Sequence, residues 1–552
     1  MRRAALLVAF LTLLVWGLFG LDHGLFHDDA SLLFFAQRTA SHPLRGLFEP
    51  SGAPTRLIQT LPYVLAWATP FPTLVLQLWY GAAWAATALV LFLLARSLAP
   101  GTPIVPLVAC ALAATATSDF LTNTTEALSY LNATLLLLAA LVTALRWTGG
   151  GRWFWLAFAL LLVNASVFTL EGLAPAAVLS PLFLLVAKGR PERRARAAVA
   201  WLLALAPFGL FLAAYLRDPS SYAAIALRPL GLVERLRGIA GQTKTDFMPW
   251  TWTLSRAVWF DTLPRILPAW LFILLPVVGV VAFLAAARRE AIDGGMRGPD
   301  ERRLALAAGA SLLVVLSLHA AYAGAQLADR RYRTQLVSRV FASLLVALLT
   351  GLFARRLRRP ATALALPAVF VAFGIAGGLE RHDFFLSSWR RERTELASTL
   401  AEAPSLDPTA TLVLSLVPDP GGYQATRVPY LAAAWMSLLR GDVSLGGRTV
   451  VELPGWGATC RAEPAGFACP VSSGGPAPGT IPWDRLVLLS FDAASGRYRL
   501  VPSIPESGGA YRPDALIRSA PMSIRARALL HGRRFLARLL PGALTHDAML
   551  PP

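Results

Sequence analysis

The sequence predicts an α-helical polytopic membrane protein with a small α/β domain at its C-terminal end. Hydrophobic residues make up 55% of the 552 residues, and the mean hydropathy is +0.54. Charged residues make up only 15% of the chain, against roughly 25% in soluble domains. Several apolar runs approach or exceed the roughly 20 residues that cross a hydrocarbon core. This composition excludes an ordinary soluble globular protein.

Apolar runs predict about eleven transmembrane helices within the first 378 residues. The first run follows Arg2 and Arg3 without a small-residue cleavage site, so we interpret it as a retained span. The runs near 104–117 and 173–187 are short, so we expect these two helices to be tilted or broken. The predicted spans lie near 4–21, 73–95, 104–117, 128–146, 153–170, 173–187, 197–216, 266–287, 304–323, 336–354 and 361–378.

Loop charge predicts the side of the membrane on which each loop lies. The net charge is +19, and only two of the basic residues are Lys, which is typical of a GC-rich bacterial genome. Basic residues recur in alternate loops, as the positive-inside rule requires of cytoplasmic loops. This distribution explains the charge better than nucleic-acid binding does. The basic loops contain Arg96, Arg146 with Arg152, residues 188–196, residues 288–303 and residues 355–359.

The same rule places the N-terminus in the cytoplasm and three long regions outside a bacterial inner membrane. Residues 22–72 form the first outer loop, and residues 217–265 form another that contains several interfacial aromatic residues. Residues 379–552 form a periplasmic tail, in which helix-like runs and the strand-like runs 411–417 and 485–491 predict a small α/β domain. The sequence therefore divides into a transmembrane domain, 1–378, and a soluble domain, 379–552.

The two cysteines of the tail, Cys460 and Cys469, lie nine positions apart. In the oxidising compartment outside the membrane, we expect them to form a disulfide. A metal site is less favoured, because no other Cys or nearby His completes a ligand set.

Charged side chains gather at the predicted outer ends of the spans. A carboxylate there can take a proton from an attacking hydroxyl, and guanidinium groups can hold a phosphate bidentately. The pattern therefore suits a reaction on a phosphorylated lipid. The residues are Asp28 and Asp29 after the first span, Glu126 before the fourth, Glu171 between the fifth and sixth, and Arg330, Arg331, Tyr332 and Arg333 before the tenth.

Each of these features also has a structural interpretation. Asp29 is placed to cap the helix that follows it, and Glu126 to favour a helix N-terminus. Glu171 could be an exposed charge in a short turn. The arginines could be interfacial residues whose charged ends reach into water while their aliphatic parts lie along the membrane. His23 and His27 with Asp28 offer a divalent-metal site, which we favour less than loop histidines without a metal.

The order of the motifs resembles the GT-C class of membrane glycosyltransferases over roughly residues 1–378. The branch of transmembrane and tetratricopeptide-repeat O-mannosyltransferases with their bacterial relatives is similar in four motifs. Two departures are that Leu170 stands where that branch has Lys, and that no tetratricopeptide repeats are present. The motifs are Asp28-Asp29 in the first outer loop, Glu126-Ala127 opening the fourth span, Glu171 before a span with Pro175, and Asp329-Arg330-Arg331-Tyr332 before a late span.

The resemblance implies an inverting transfer of a sugar from a polyprenyl-phosphate carrier to a hydroxyl of a protein, lipid or glycan. It implies that Asp28 or Asp29 is the general base, accompanied by Glu126, and that no cofactor is required. It also implies a substrate site in which guanidinium groups hold the carrier phosphate. That site would include Glu171, Arg330, Arg331, Tyr332 and Arg333.

Other functions stay open at this point. A polymerase or ligase of surface polysaccharide also uses lipid-linked sugars, and a scaffold could bind a cell-wall partner through its tail. A transporter or flippase usually places ionisable residues near the bilayer midplane and contains repeated halves. Here the ionisable residues gather at one face and no repeat is visible, so a glycosyltransferase is favoured.

Overall fold

The computed structural model describes residues 1–25, 28–40, 59–117, 125–217, 231–252, 266–294, 301–322, 335–356, 360–415, 429–452, 460–469 and 479–530. Within these ranges the chain is mostly helical, with a small strand region towards its C-terminal end. Seven of the described helices are long and apolar enough to cross a membrane. The protein is therefore a helical membrane protein, as its composition predicts.

The membrane region is a bundle in which many consecutive helices are packed as neighbours. The first helix continues beyond Thr12 through a π-helical turn and a 3-10 turn as far as Asp22. The bundle helices are α1 Arg2–Thr12, α2 Asp28–Arg38, α3 Leu61–Trp67, α4 Pro72–Leu98, α5 Ile104–Thr115, α6 Leu128–Thr148, α7 Phe154–Thr169, α8 Ala174–Leu179, α9 Pro181–Val186, α10 Pro191–Ala204, α11 Ala206–Arg217, α12 Leu232–Phe247, α13 Leu271–Gly294, α14 Glu301–Tyr322 and α15 Gln335–Arg356.

Three of the predicted spans, 104–117, 153–170 and 173–187, form helices that are shorter in the structure than a membrane crossing requires. The run 104–117 forms α5, whose 12 residues are all buried. At 1.5 Å per residue it is roughly 18 Å long, well short of a hydrocarbon core of about 30 Å. It packs against α1, α4, α15 and the long helix that begins at Ala365. This segment is therefore an internal helix enclosed by the bundle.

The run 173–187 is broken into α8 and α9 at Ser180. Pro181 has no N–H, so the carbonyl of Ala177, four residues earlier, loses its helical partner. The indole N–H of Trp201 on α10 donates to that carbonyl at 2.8 Å. The break therefore leaves this buried carbonyl satisfied, as an apolar environment demands.

One helix, α16, runs without interruption from Ala365 to Glu402. Its 38 residues correspond to a rod of roughly 57 Å at the helical rise per residue. The domain boundary predicted at 378/379 falls inside this helix. The bundle and the tail are therefore connected by a continuous helix rather than by a linker.

Small residues let α16 approach the bundle closely. A Cβ at Gly374 would lie 2.2 Å from the carbonyl oxygen of Thr115, and one at Gly377 would lie 2.0 Å from that of Trp252. The hydroxyl of Thr117 donates to the Gly374 carbonyl at 2.7 Å. Close backbone approach at small residues is the usual way in which membrane helices associate.

The tail contains a four-stranded sheet in the order β3-β2-β7-β8. The central strand β2 is parallel to β3 and β7, and β8 is antiparallel to β7. The predicted strands at 411–417 and 485–491 correspond to β2 and β7. The strands are β1 Ser405–Leu406, β2 Thr411–Ser415, β3 Thr449–Glu452, β4 Arg461–Glu463, β5 Gly466–Cys469, β6 Gly479–Ile481, β7 Leu486–Asp492, β8 Arg497–Leu500 and β9 Ile517–Arg518.

The end of α16 covers the β8 edge of this sheet. The backbone N–H of Tyr498 donates to Ser398 Oγ at 2.8 Å, and that of Leu500 donates to Glu402 Oε2 at 3.1 Å. Edge strands otherwise present unpaired N–H groups that invite pairing with another chain. The helix that leaves the membrane region therefore also closes the sheet of the tail.

Two further helices, α17 Pro429–Arg440 and α18 Ile524–Leu530, complete the tail. The guanidinium of Arg440 donates to the Thr399 and Ala403 carbonyls, both at 2.8 Å, and so caps the C-terminus of α16. Burial lowers the pKa of Arg440 to about 10, which leaves it charged at neutral pH. This charge is favourable beside the negative end of the helix dipole.

The tail rests directly on α2 and α3, which follow the first helix. Helix α17 packs on α2, and the rings of Trp389 and Trp435 stack with their centroids 6.0 Å apart. The guanidinium carbon of Arg525 lies 4.2 Å above the ring of Trp67 at the end of α3. Cys460 and Cys469 are joined by a disulfide beside β4 and β5.

We expect Gly377→Ala to destabilise the protein by about 1–3 kcal/mol, because the added methyl group meets a backbone carbonyl and cannot be relieved by a rotamer change. The apparent Tm of the purified protein in detergent measures the loss. Gly309→Ala on α14 is the matched control, since a Cβ there has no heavy atom within 4 Å. Equal Tm values for the two variants would contradict the close approach of α16.

Candidate functional site

Of the predicted acidic pair, Asp29 is the residue whose side chain lies within the described part of the chain. It lies in the first turn of α2 and is fully buried. The hydroxyl of Tyr63 donates to its Oδ1 at 2.7 Å, and the hydroxyl of Thr125 donates to its Oδ2. Hydrogen bonds to an ionised carboxylate are stronger than neutral ones and offset part of the cost of burial. The carboxylate of Asp29 therefore joins three segments that are distant in sequence.

This contact brings two of the predicted motifs together. Thr125 begins the 3-10 turn Thr125–Ala127 that precedes α6, and Glu126 follows it directly. Asp28 is the first residue of α2 and precedes Asp29. The acidic pair and the Glu126 turn therefore occupy adjoining backbone positions at the same end of the bundle. The side chains of Asp28 and Glu126 lie outside the described residues.

Glu171 lies at the same end of the bundle. It begins the 3-10 turn Glu171–Leu173 after α7 and is half-buried. Helices α6 and α7 are antiparallel neighbours, with the Ser166 hydroxyl donating to the Ala133 carbonyl at 2.8 Å. The end of α7 is therefore level with the start of α6, where the Glu126 turn lies. The basic cluster Arg330, Arg331, Tyr332 and Arg333 lies outside the described residues, between α14 and α15.

His23 is part of a buried histidine pair that the sequence did not predict. His382 Nε2 donates to the carbonyl of Val15 at 2.5 Å, in the π-helical turn of the first helix. Its Nδ1 must then accept, so His23 Nε2 is the donor across the 2.8 Å contact between the two rings. The His23 carbonyl accepts from the side chain of Gln77 on α4. These bonds fix the chain shortly before the acidic pair begins.

A metal at His23, His27 and Asp28 was the less favoured interpretation of the first loop. His23 is bonded to His382, whereas His27 and the side chain of Asp28 lie outside the described residues. Among the residues that the structure describes, no three His, Cys, Asp or Glu side chains are grouped as a metal ion requires.

A second buried carboxylate, Asp246, lies at the junction of α12, α14 and α15. Its Oδ2 lies 2.7 Å from His319 Nε2, and its Oδ1 accepts from Arg339 Nε at 3.4 Å. All three side chains are at most 1% exposed. Gln242 lies 3.1 Å from the other ring nitrogen of His319, and the Arg339 guanidinium lies 5.1 Å from the ring centre of Trp252.

The Asp246 cluster, formed by Asp246, His319 and Arg339, was missed by the sequence interpretation although a signal was present. His319 and Arg339 fall inside predicted spans, where an ionisable residue usually has a partner and a role. Their common partner lies in the loop 217–265, and nothing in a linear sequence indicates that α12 packs against α14 and α15.

Three consecutive residues of α16 tie further segments to this end of the bundle. Arg381 donates to the Thr117 carbonyl at 3.2 Å, and His382 contacts the first helix as described above. The carboxylate of Asp383 accepts from the backbone N–H groups of Ile266 and Leu267, at 2.5 and 2.8 Å. The middle of α16 therefore holds these segments at the same end of the bundle as the acidic pair.

We expect Asp246→Asn to destabilise the protein by about 3–5 kcal/mol, because it leaves the buried Arg339 guanidinium without its counter-charge. The double variant Asp246→Asn with Arg339→Gln removes both charges and should lose less than the sum of the single losses. The apparent Tm in detergent measures each change.

The matched control for this pair of variants is Asp492→Asn in the tail. Asp492 pairs with Arg499 at 3.4 Å on the surface, where solvent screening leaves an ion pair with little net stability. Additive losses in the double variant, or a loss no larger than in the control, would show that the three side chains are not a coupled unit.

No known protein family matches this sequence, and no curated protein is significantly similar to it. Support for a function therefore comes from the residues of this chain and their geometry. The geometry that bears on it is the acidic end of the bundle, where α2, the Glu126 turn and the Glu171 turn meet.

Proposed function

We propose that this protein is a membrane glycosyltransferase of the GT-C type. It would transfer a sugar from a polyprenyl-phosphate carrier to a hydroxyl acceptor on the outer face of a bacterial inner membrane, with inversion at the anomeric carbon. The observation that carries the proposal is the hydrogen bonding of Asp29 to Tyr63 and Thr125. It supports a single acidic centre built from the first outer loop and the Glu126 turn.

The two carboxylates of the pair take different roles in this proposal. Asp29 is fully buried, and each of its carboxylate oxygens already accepts a hydrogen bond from a hydroxyl group. An acceptor substrate therefore has no access to it. We therefore assign Asp29 to positioning and Asp28, at the start of α2, to proton abstraction. Glu126 follows Thr125 directly and would be the second carboxylate at the reacting centre.

The reaction is a single displacement. The acceptor oxygen attacks the anomeric carbon as its proton passes to the Asp28 carboxylate. The bond between that carbon and the phosphate oxygen breaks, and polyprenyl phosphate leaves with the bonding electron pair. Guanidinium groups of Arg330, Arg331 and Arg333 would stabilise the charge that develops on the phosphate.

The remaining parts of the proposed substrate site are Glu171 and Tyr332. Glu171 is half-buried at the level of the Glu126 turn, which suits a hydrogen bond to a sugar hydroxyl. Tyr332 would contribute a ring beside the carrier phosphate. Leu170 stands where the similar branch of glycosyltransferases has a lysine. In this proposal the arginines therefore make the contacts to the carrier phosphate.

We expect Asp28→Asn to lower kcat for sugar transfer by about 10²–10⁴-fold, the contribution typical of a positioned general base. The assay measures release of polyprenyl phosphate from a panel of polyprenyl-phosphate-linked hexoses and pentoses, with the full-length protein in detergent. Asp29→Asn and Tyr63→Phe should lose less activity than Asp28→Asn and should lower the apparent Tm, because they loosen the contact between α2 and the Glu126 turn.

The control for the activity series is Glu506→Gln, an exposed acidic residue of the tail, which should keep full activity. An Asp28→Asn variant with wild-type turnover would remove Asp28 as the base. No carrier release by the wild-type protein from any donor of the panel would count against the glycosyltransferase itself.

We also expect a reporter fused after residue 552 to lie outside the cytoplasm. The basic loop 355–359 is predicted to be cytoplasmic, and the single helix α16 separates it from the tail. Fusions with an alkaline phosphatase and with a cytoplasmic fluorescent protein give opposite readouts. A cytoplasmic signal would move the acidic centre to the inner face and overturn the choice of donor.

A further inference from the structure

Helix α12 has two halves with different surroundings. In the N-terminal half, the side chains of Leu232, Val233 and Leu236 are 73%, 66% and 56% exposed. In the C-terminal half, Gln242 and Asp246 are buried against α14 and α15. The helix is therefore held firmly at one end and presents an apolar surface at the other.

The exposed residues Leu232 and Leu236 and the half-buried Ile239 form one apolar stripe along the helix, which the exposed Val233 widens on one side. Leu232, Leu236 and Ile239 recur at the i, i+4 and i+7 spacing that aligns side chains on one face. The basic residues Arg235 and Arg237 stand on either side of this stripe and are exposed. An apolar stripe bordered by basic side chains is the pattern of helices that lie in a membrane interface.

The anchor of α12 fixes its depth. Asp246 is bonded to His319, near the end of α14, and to Arg339, in the second turn of α15. Both helices are long enough to cross the membrane, so their ends mark the level at which the headgroups begin. Trp250, which follows α12, is 50% exposed, as is typical of aromatic residues at this level.

We propose that α12 is an interfacial helix that binds anionic lipid headgroups through Arg235 and Arg237. The stripe of Leu232, Leu236 and Ile239 would enter the boundary of the acyl chains. The long aliphatic parts of the arginine side chains would then let their guanidinium groups reach the phosphates of the lipid headgroups. The occupant of this surface is the lipid itself, because the stripe lies at membrane level and its border is positively charged.

This inference does not depend on the proposed enzymatic activity or on which leaflet is concerned. It assigns a membrane contact to the same helix that supplies the Asp246 cluster. Lipid binding at one end of α12 and the charge cluster at its other end are therefore mechanically connected through a single helix of 16 residues.

The test is hydrogen–deuterium exchange of residues 232–241 in the full-length protein. Nanodiscs of phosphatidylcholine are compared with nanodiscs in which part of this lipid is replaced by phosphatidylglycerol. We expect the anionic lipid to slow exchange roughly 30-fold, since each basic residue at an anionic surface contributes about a 5-fold effect. The variant Arg235→Gln with Arg237→Gln should lose this difference, and high salt should reduce it in the wild type.

The charge-matched control is Arg497→Gln with Arg499→Gln, on strand β8 of the tail, which should keep the full lipid dependence. Leu236→Ser should raise exchange in both kinds of nanodisc without lowering the Tm, because its side chain is exposed in the folded protein. No effect of phosphatidylglycerol, or an effect that survives in Arg235→Gln with Arg237→Gln, would overturn headgroup binding. Wild-type protection in Leu236→Ser would overturn the embedding of the stripe.

Discussion

The close approach of α16 to the bundle at Gly374 and Gly377 positions both the polar contacts further along this helix and the tail that follows it. It brings the helix within backbone distance of Thr115 and Trp252. One turn later, Arg381, His382 and Asp383 reach segments from three other parts of the chain. Because α16 continues unbroken to Glu402, the same approach also sets where the tail stands. A helix spaced even one methyl group further away could not make these polar contacts.

The polar groups at this end of the bundle show two ways of satisfying a buried carboxylate. Asp29 accepts from two hydroxyl groups, whereas Asp246 is paired with a guanidinium and an imidazole. A buried polar network in which some groups lack a hydrogen-bond partner is costly in a low-dielectric interior, because each unpaired group carries its full desolvation penalty. Each carboxylate therefore joins helices that are distant from one another in the sequence, and both do so at the same end of the bundle.

The tail is part of the same assembly rather than a separate module. Trp389 of α16 lies against Gly24, where a Cβ would be 2.1 Å from the indole, and it stacks on Trp435 of α17. Helix α17 in turn packs on α2, which begins at Asp28. Helix α2, which carries the acidic pair, is therefore in direct contact with the tail.

Local sequence patterns were enough to predict the membrane class, most of the long helices, the strands β2 and β7, and the gathering of acidic residues at the ends of helices. These follow from local composition and periodicity, which do not need distant contacts. Four features could not be predicted in this way: the complete burial of α5, the continuity of α16 across the predicted 378/379 boundary, the hydrogen bonds of Asp29 to Tyr63 and Thr125, and the Asp246 cluster. Such features depend on which helices become neighbours, and that choice is made by packing and by the need to pair polar groups away from water.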